Sequence, residues 1–180
     1  TGANTAYTAM GGSDANNNKS INYTLPTLMD DLSVAVSYSG QTTATNSTTA
    51  FGVTYTGVEG LSVSYGAGEA GSTTANTAAD VTTMKASYAI GSFTAAVSNT
   101  ENDRGSTGTD EEMSSWKLSY TVSDDLSVSY GEETHETSAQ SVDEEFDAIS
   151  VSYTTGGMTI TAAQYNATGL GNTADRKSVV

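Results

Sequence analysis

Apolar and small polar residues alternate along most of this chain, and the alternation predicts β-strands. The hexapeptide LSVSYG occurs at Leu61–Gly66 and again at Leu126–Gly131, and ISVSYT at Ile149–Thr154 is a close variant. Strand side chains point alternately to two faces, so Leu or Ile, Val and Tyr share one face and the serines share the other. The same alternation predicts ten strands and the beginning of an eleventh at Lys177–Val180, and no segment has a helical period.

Short and long connections take turns between the predicted strands. The short connections are Met29–Asp31, Gly57–Gly60, Ile90–Ser92, Val122–Asp125 and Thr155–Gly157, and the long ones are residues 40–50, 67–82, 100–114, 132–147 and 166–175. The Greek-key crossings of a soluble sandwich mix connection lengths, whereas an outer-membrane barrel has short turns at one rim and long loops at the other. The pattern therefore predicts an all-β protein, a transmembrane up-and-down antiparallel β-barrel. A soluble sandwich or an adhesin repeat is the alternative.

Composition narrows the possible partners and the kind of core. The 180 residues include 18 Gly and ten Tyr, and 36% hydrophobic residues are few for the dense core of a soluble sandwich. Six Lys and Arg against a formal net charge of −15 argue against a nucleic-acid partner, whose phosphates require clustered basic side chains. The chain contains no Cys, which excludes disulfides and thiolate metal sites within it. In a barrel, the apolar positions would meet lipid and the Ser, Thr and Gly positions would meet a water-filled lumen.

The stretch KSINYTLPTLMDDLSVAVSYS at Lys19–Ser39 resembles the Gram-negative general porins of proteobacteria. In that family a strand of the type N/S-x-x-Y-x-x-P follows the constriction loop and leads through a short turn into the next rising strand. Pro26, the only proline, falls at the end of this strand, where a missing backbone donor is tolerated. The resemblance, which the rhythm of strands and turns extends over essentially all of the chain, implies a homotrimeric diffusion channel for small hydrophilic solutes and ions. It also implies an outer-membrane location, in contact with lipid and lipopolysaccharide.

The resemblance further implies a sixteen-stranded barrel, of which this chain represents about eleven strands. On that count Ile21 opens the sixth strand, residues 21–180 form one partial barrel domain, and residues 1–20 are the end of the constriction or extracellular loop. An open sheet would leave its edge backbone groups unpaired in lipid, so a longer chain is expected. A complete smaller barrel is the competing interpretation, although bacterial single-chain barrels have even strand numbers.

The faces with small residues are expected to line the pore. Lys85 and Lys117 lie on such faces and would set the local field for passing ions, although a lysine near a strand end also extends to the interface. The other pore-lining candidates are Ser33, Ser37, Thr54, Ser62, Ser64, Ser87, Ser119, Ser127, Ser129, Ser150 and Ser152. Asp14, the only acid in residues 1–20, is a candidate carboxylate of the constriction.

The predicted loop 132–147 is rich in carboxylates. Its candidate ligands for Ca²⁺ or Mg²⁺ are Glu132, Glu133, Glu136, Asp143, Glu144 and Glu145, and through such a metal they could bridge to lipopolysaccharide phosphates. A solvated run of charges is the alternative, because the spacing does not match an EF-hand loop. No nucleophile elbow, P-loop, HExxH or dinucleotide motif is present, so neither catalytic residues nor an enzyme is predicted. The rival function is a soluble or surface-anchored, Ca²⁺-binding adhesin or S-layer-like β-protein.

Overall fold

The chain forms a single antiparallel sheet in which each strand pairs with its neighbours in sequence. A computed structural model describes residues 20–26, 29–39, 48–70, 79–104, 109–171 and 177–179. The strands are β1 (Ser20–Thr24), β2 (Leu32–Ser39), β3 (Thr48–Tyr55), β4 (Leu61–Ala70), β5 (Ala79–Ile90), β6 (Phe93–Asp103), β7 (Glu111–Ser123), β8 (Leu126–Thr137), β9 (Glu144–Thr155), β10 (Met158–Thr168) and β11 (Lys177–Val179). The predicted all-β class and up-and-down order are confirmed. Over these ranges, no helix has the length and apolar character needed to cross a membrane.

The short connections lie where the sequence predicts them. Gly60 and Gly91 adopt φ values of 77° and 56°, a left-handed backbone that glycine enters without steric cost. Leu61 N–H donates a hydrogen bond of 2.9 Å to the carbonyl of Val58, which closes the turn between β3 and β4. These hairpins bring β4, β6, β8 and β10 back from one common rim of the sheet.

The long connections are shorter than predicted, because the strands continue beyond their apolar segments. Most of the predicted loop 132–147 is paired sheet, in which Glu132 lies opposite Asp147 on the next strand. The strands also extend into the other four predicted loops: β3 begins at Thr48, β4 reaches Ala70, β5 begins at Ala79, β6 reaches Asp103, β7 begins at Glu111 and β10 reaches Thr168. The prediction ended each strand where apolar alternation stops, whereas a β-ladder requires only paired backbone groups.

Successive hairpins are staggered. One line of directly paired residues crosses seven strands through Leu61, Tyr88, Ala95, Leu118, Tyr130, Ile149 and Gln164. On the strands that follow a short turn, this line passes through the first residue of β4, the third of β6, the fifth of β8 and the seventh of β10. A shift of two residues, about 6.6 Å, for every two strands, about 9.6 Å, gives a strand tilt of about 35°. Transmembrane barrels have strand tilts in this range.

The sheet has almost no buried core. Apart from Gly66 and Gly169, the buried residues of the described chain are Ala79, Val81 and Thr83 on β5, with exposures of 6, 9 and 6%. Large apolar side chains such as Val97 and Ile149 remain more than half exposed, at 54 and 52%. Contact between so much apolar surface and water would be unfavourable in free energy. One face of the sheet therefore fits an apolar environment.

Candidate functional site

The face opposite the large apolar side chains carries mainly hydroxyl groups, and we call it the hydroxyl face. It is formed by the residues whose side chains point away from the Leu, Val and Tyr positions. All predicted pore-lining residues lie on it, since they are linked by direct cross-strand pairs and two-residue steps: Ser33, Ser37, Thr54, Ser62, Ser64, Lys85, Ser87, Lys117, Ser119, Ser127, Ser129, Ser150 and Ser152. The structure therefore brings these candidates together on one surface. Asp14 lies outside the described residues.

Hydroxyls on this face pair with one another across neighbouring strands. The oxygen atoms of Ser129 and Ser150 are 2.7 Å apart, and those of Thr54 and Ser64 are 3.1 Å apart. Ser98 and Ser115, at 2.8 Å, form the same kind of pair, although they are not among the candidates chosen from the sequence. The sequence contains a signal for them, because Ser98 and Ser115 alternate with the apolar residues Val97 and Trp116. In such a pair one hydroxyl donates and the other accepts, and the remaining donor and acceptor sites are left for water.

Lys85 and Lys117 place two ammonium groups in the middle of the hydroxyl face. Lys85 lies on β5 and is half-buried, whereas Lys117 lies on β7 and is exposed. Because β6 separates their strands, the two backbones are about 10 Å apart across the sheet. Lys85 lies opposite Ser64 and Ser98, and Lys117 lies opposite Ala96 and Gly131, so the directly paired neighbours of both lysines are small.

Acids occupy the end of the hydroxyl face farther from the short turns. Glu133 is the eighth residue of β8, and Glu111 is the first of β7. His135 Nδ1 lies 3.5 Å from Glu144 Oε2, and Arg104 lies 3.6 Å from Glu111. By contrast, the first residues of β8 and the last residues of β9, which adjoin the short turns, carry only Ser and Thr on this face. The face thus changes from hydroxyls to lysines and then to carboxylates along the strands.

The predicted metal ligands are divided between the two faces. Register places Glu133 and Glu144 on the hydroxyl face, Glu132, Glu136 and Glu145 on the opposite face, and Asp143 in the connection before β9. Within the described ranges, no three His, Cys, Asp or Glu side chains are grouped so that they could hold a metal ion. The metal hypothesis therefore stays a prediction that the geometry does not support. Two residues on one strand that differ by an odd number point to opposite faces, which is why an acid-rich stretch need not form one cluster.

The apolar face ends in aromatic side chains that bind carboxylates. Trp116 and Tyr130 pack edge to face with ring centroids 5.5 Å apart. Trp116 Nε1 donates a 3.1 Å hydrogen bond to Glu132, and the Tyr130 hydroxyl donates a 2.7 Å hydrogen bond to the same carboxylate. Beyond this pair the outward positions are polar or acidic, as at Asp147, which accepts a 2.6 Å hydrogen bond from Asn166. An aromatic belt between an apolar band and a polar rim is typical of a membrane interface.

Comparisons with known proteins agree with this arrangement. A family model for the Gram-negative porins matches residues 1–179. The anion-selective porin from Comamonas acidovorans superposes with a TM-score of 0.70 and 16% identity, over 83% of this chain and 48% of that chain. OmpF of Salmonella typhi, solved in complex with daunomycin, gives a TM-score of 0.64 with 12% identity, over 83% of this chain and 53% of that chain. The trimer form of in-vitro folded OmpT from Vibrio cholerae gives 0.56 with 20% identity, over 89% of this chain and 59% of that chain.

These likenesses show the fold, since the identities are low. The predicted barrel architecture is confirmed as that of a porin wall. The chain spans about half the length of these solved porins, from 48% of the Comamonas protein to 59% of the Vibrio protein. A search of curated protein sequences finds no match to this chain.

Proposed function

Because the chain belongs to the Gram-negative porin family and is thus an outer-membrane protein, we propose that it forms part of the wall of a water-filled diffusion channel. The channel passes small hydrophilic solutes and ions down their concentration gradients. The observation that carries the proposal is the opposition of the two faces, one with exposed Val, Ile and Tyr side chains and the other with paired hydroxyls.

Each face of the sheet fits one of two surroundings. Side chains such as Val97 and Ile149 are stable against lipid, where their exposure costs nothing. Short hydroxyl side chains satisfy water without narrowing a pore, and Lys85 and Lys117 add a positive field halfway along it. Selection among solutes then depends on pore width and charge, with no chemical step and no catalytic residue. A soluble adhesin is disfavoured, because it would expose the whole apolar face to water.

The proposal extends to the assembly and its surroundings. A homotrimer is supported by the likeness to OmpT of Vibrio cholerae in its trimer form. Lipid acyl chains would cover the apolar band, and lipopolysaccharide would adjoin the outward carboxylates beyond Trp116, such as Glu132 and Asp147. Both of these groups and the lipopolysaccharide phosphates are negative, so their contact would require divalent cations between them.

Planar-bilayer recordings of the full-length protein test the function. We expect the wild-type protein to show stepwise conductance that rises with salt concentration. In a salt gradient, Lys117→Gln should shift the reversal potential toward a preference for cations. The same substitution should leave the folded fraction unchanged, because Lys117 is exposed. Folded protein that inserts into bilayers without conducting, or that remains soluble without detergent, would refute the proposal.

A further inference from the structure

The hydroxyl face contains a niche beside Lys85. It lies across strands β2 to β5 and has a volume of about 280 Å³. Two adjacent lines of paired residues form it: Ser33, Thr54, Ser64 and Lys85 in one line, and Ala35, Gly52, Gly66 and Thr83 in the other. The wall is therefore thin along the second line, where three successive strands carry no side chain larger than a methyl group.

Missing side-chain volume creates the niche. A Cβ atom added at Gly52 would meet only the Tyr65 carbonyl oxygen, at 3.9 Å, so the space above this glycine is open. Ala35, its neighbour on β2, is only partly exposed at the edge of the same space. Thr83 closes the β5 side, where its hydroxyl lies 3.1 Å from that of Thr100. The floor of the recess is thus main chain and methyl groups, and apart from Thr83 its polar side chains lie along one edge.

That edge offers donors and one positive charge. Ser33, Thr54 and Ser64 present hydroxyls in a row, and the Thr54 and Ser64 oxygens are 3.1 Å apart. Lys85 ends the row and is half-buried, and it makes a further interaction of its own in the structure. No carboxylate is among the described residues that line the niche. An ammonium group beside a row of hydroxyl donors favours an anion, because both can form charge-assisted hydrogen bonds with it.

We propose that this niche is a weak binding site for small carboxylate solutes, which dwell there as they pass through the channel. The proposal rests on the channel function and names the class of solute that the channel favours. A volume of about 280 Å³ holds about nine waters at 30 Å³ each, enough for a dicarboxylate of about eight heavy atoms such as succinate. The carboxylate contacts Lys85 and the adjoining hydroxyls, and its methylene groups lie over Ala35 and Gly52.

Titration of the open channel with succinate tests the proposal. Chloride current through the full-length protein in planar bilayers is measured at constant ionic strength as the succinate concentration is raised. We expect saturable inhibition by succinate and none by succinamide, a neutral molecule of nearly the same shape. Lys85→Gln should raise the half-inhibiting succinate concentration about fivefold, the upper end of the contribution of a solvent-accessible ion pair. Lys85→Arg should keep it within about twofold, because the charge remains.

Two matched pairs of variants separate the niche from the rest of the pore. Ala35→Val adds two methyl groups inside the niche and should raise the half-inhibiting concentration about tenfold, the low end for one methylene in a binding pocket. Ala96→Val adds the same bulk to the hydroxyl face outside the niche and should not raise it. Lys117→Gln should change the reversal potential but not the inhibition by succinate.

The outcomes distinguish the two proposals. A wild-type protein that folds and does not conduct refutes the channel function. A conducting channel that succinate does not inhibit, or that succinamide inhibits equally, refutes the niche alone. Equal effects of Ala35→Val and Ala96→Val, or of Lys85→Gln and Lys117→Gln, also refute the niche, because the response would then depend on the whole lumen.

Discussion

An arginine on the apolar face tests which face of the sheet meets lipid. Val151 lies on β9 and points outward, with Val128 and Ala162 directly opposite on the neighbouring strands. An arginine at this position would therefore have no carboxylate among its direct cross-strand neighbours. The next residue, Ser152, points to the hydroxyl face and supplies a matched control at nearly the same depth.

The depth of Val151 follows from the strand geometry. The outward residues Asp147 and Thr155 lie four positions before and after it. Four residues rise about 13 Å along a strand, or about 11 Å along the membrane normal at a tilt of about 35°. The two polar positions are thus about 22 Å apart, close to the ~25 Å height of the apolar band of an outer-membrane barrel, and Val151 is at its midpoint. We expect Val151→Arg to cost about 2–4 kcal/mol of folding free energy, the range for arginine at the bilayer midplane.

Reversible folding into lipid vesicles measures this cost. Guanidinium titrations of the full-length protein are followed by electrophoresis of unheated samples, in which the folded barrel and the unfolded chain migrate differently. Ser152→Arg should cost less than about 1 kcal/mol, because it loses only a long 3.4 Å contact with Thr161. Thr155→Arg, near the interface, should cost about 0–1 kcal/mol. The assignment of faces is refuted if Ser152→Arg destabilises the protein as much as Val151→Arg.

Two further predictions use the same titration. Trp116→Phe should cost about 1 kcal/mol of folding free energy, because it removes the indole hydrogen bond to Glu132. The same substitution should cost less in a Glu132→Ala background. Equal costs in the two backgrounds would show that the hydrogen bond does not contribute to stability. Gly60→Ala should cost about 3 kcal/mol, because it combines a left-handed φ of 77° with overlap between its Cβ and the Ala89 carbonyl. Gly91→Ala, with a φ of 56° and open space around its Cβ, should cost only about 1 kcal/mol; a larger loss than that of Gly60→Ala would contradict the role of the overlap.

Much of the candidate site is encoded locally. The alternation in LSVSYG assigns Ser127 and Ser129 to one face and Val128 to the other, because successive strand residues point in opposite directions whatever the neighbouring strand is. The short turns are equally local, since Gly60 and Gly91 permit backbone angles that few other residues adopt. Residues 1–20, with the candidate Asp14, lie almost entirely outside the described structure, so their predicted role in the constriction stays a prediction.

The ends of the strands required the tertiary structure. Glu132 and Asp147 look like loop residues, because their acidic surroundings contain no apolar alternation. In the sheet they lie directly opposite one another, and Glu132 also accepts hydrogen bonds from Trp116 and Tyr130. Like charges in direct opposition are unfavourable in a cross-strand pair. Their position is therefore decided by continuing backbone ladders and by donors on other residues, which no local pattern reports.

The sequence by itself determined the two faces of the wall, because a period of two depends only on the geometry of one strand. The tertiary structure decided how strands are placed beside each other, since register depends on hydrogen bonds between residues far apart in the chain. That register produces the stagger of two residues per hairpin, and hence the tilt of about 35°. It also brings Ala35, Gly52 and Gly66 from three strands beside Lys85, so the niche exists only in the assembled sheet.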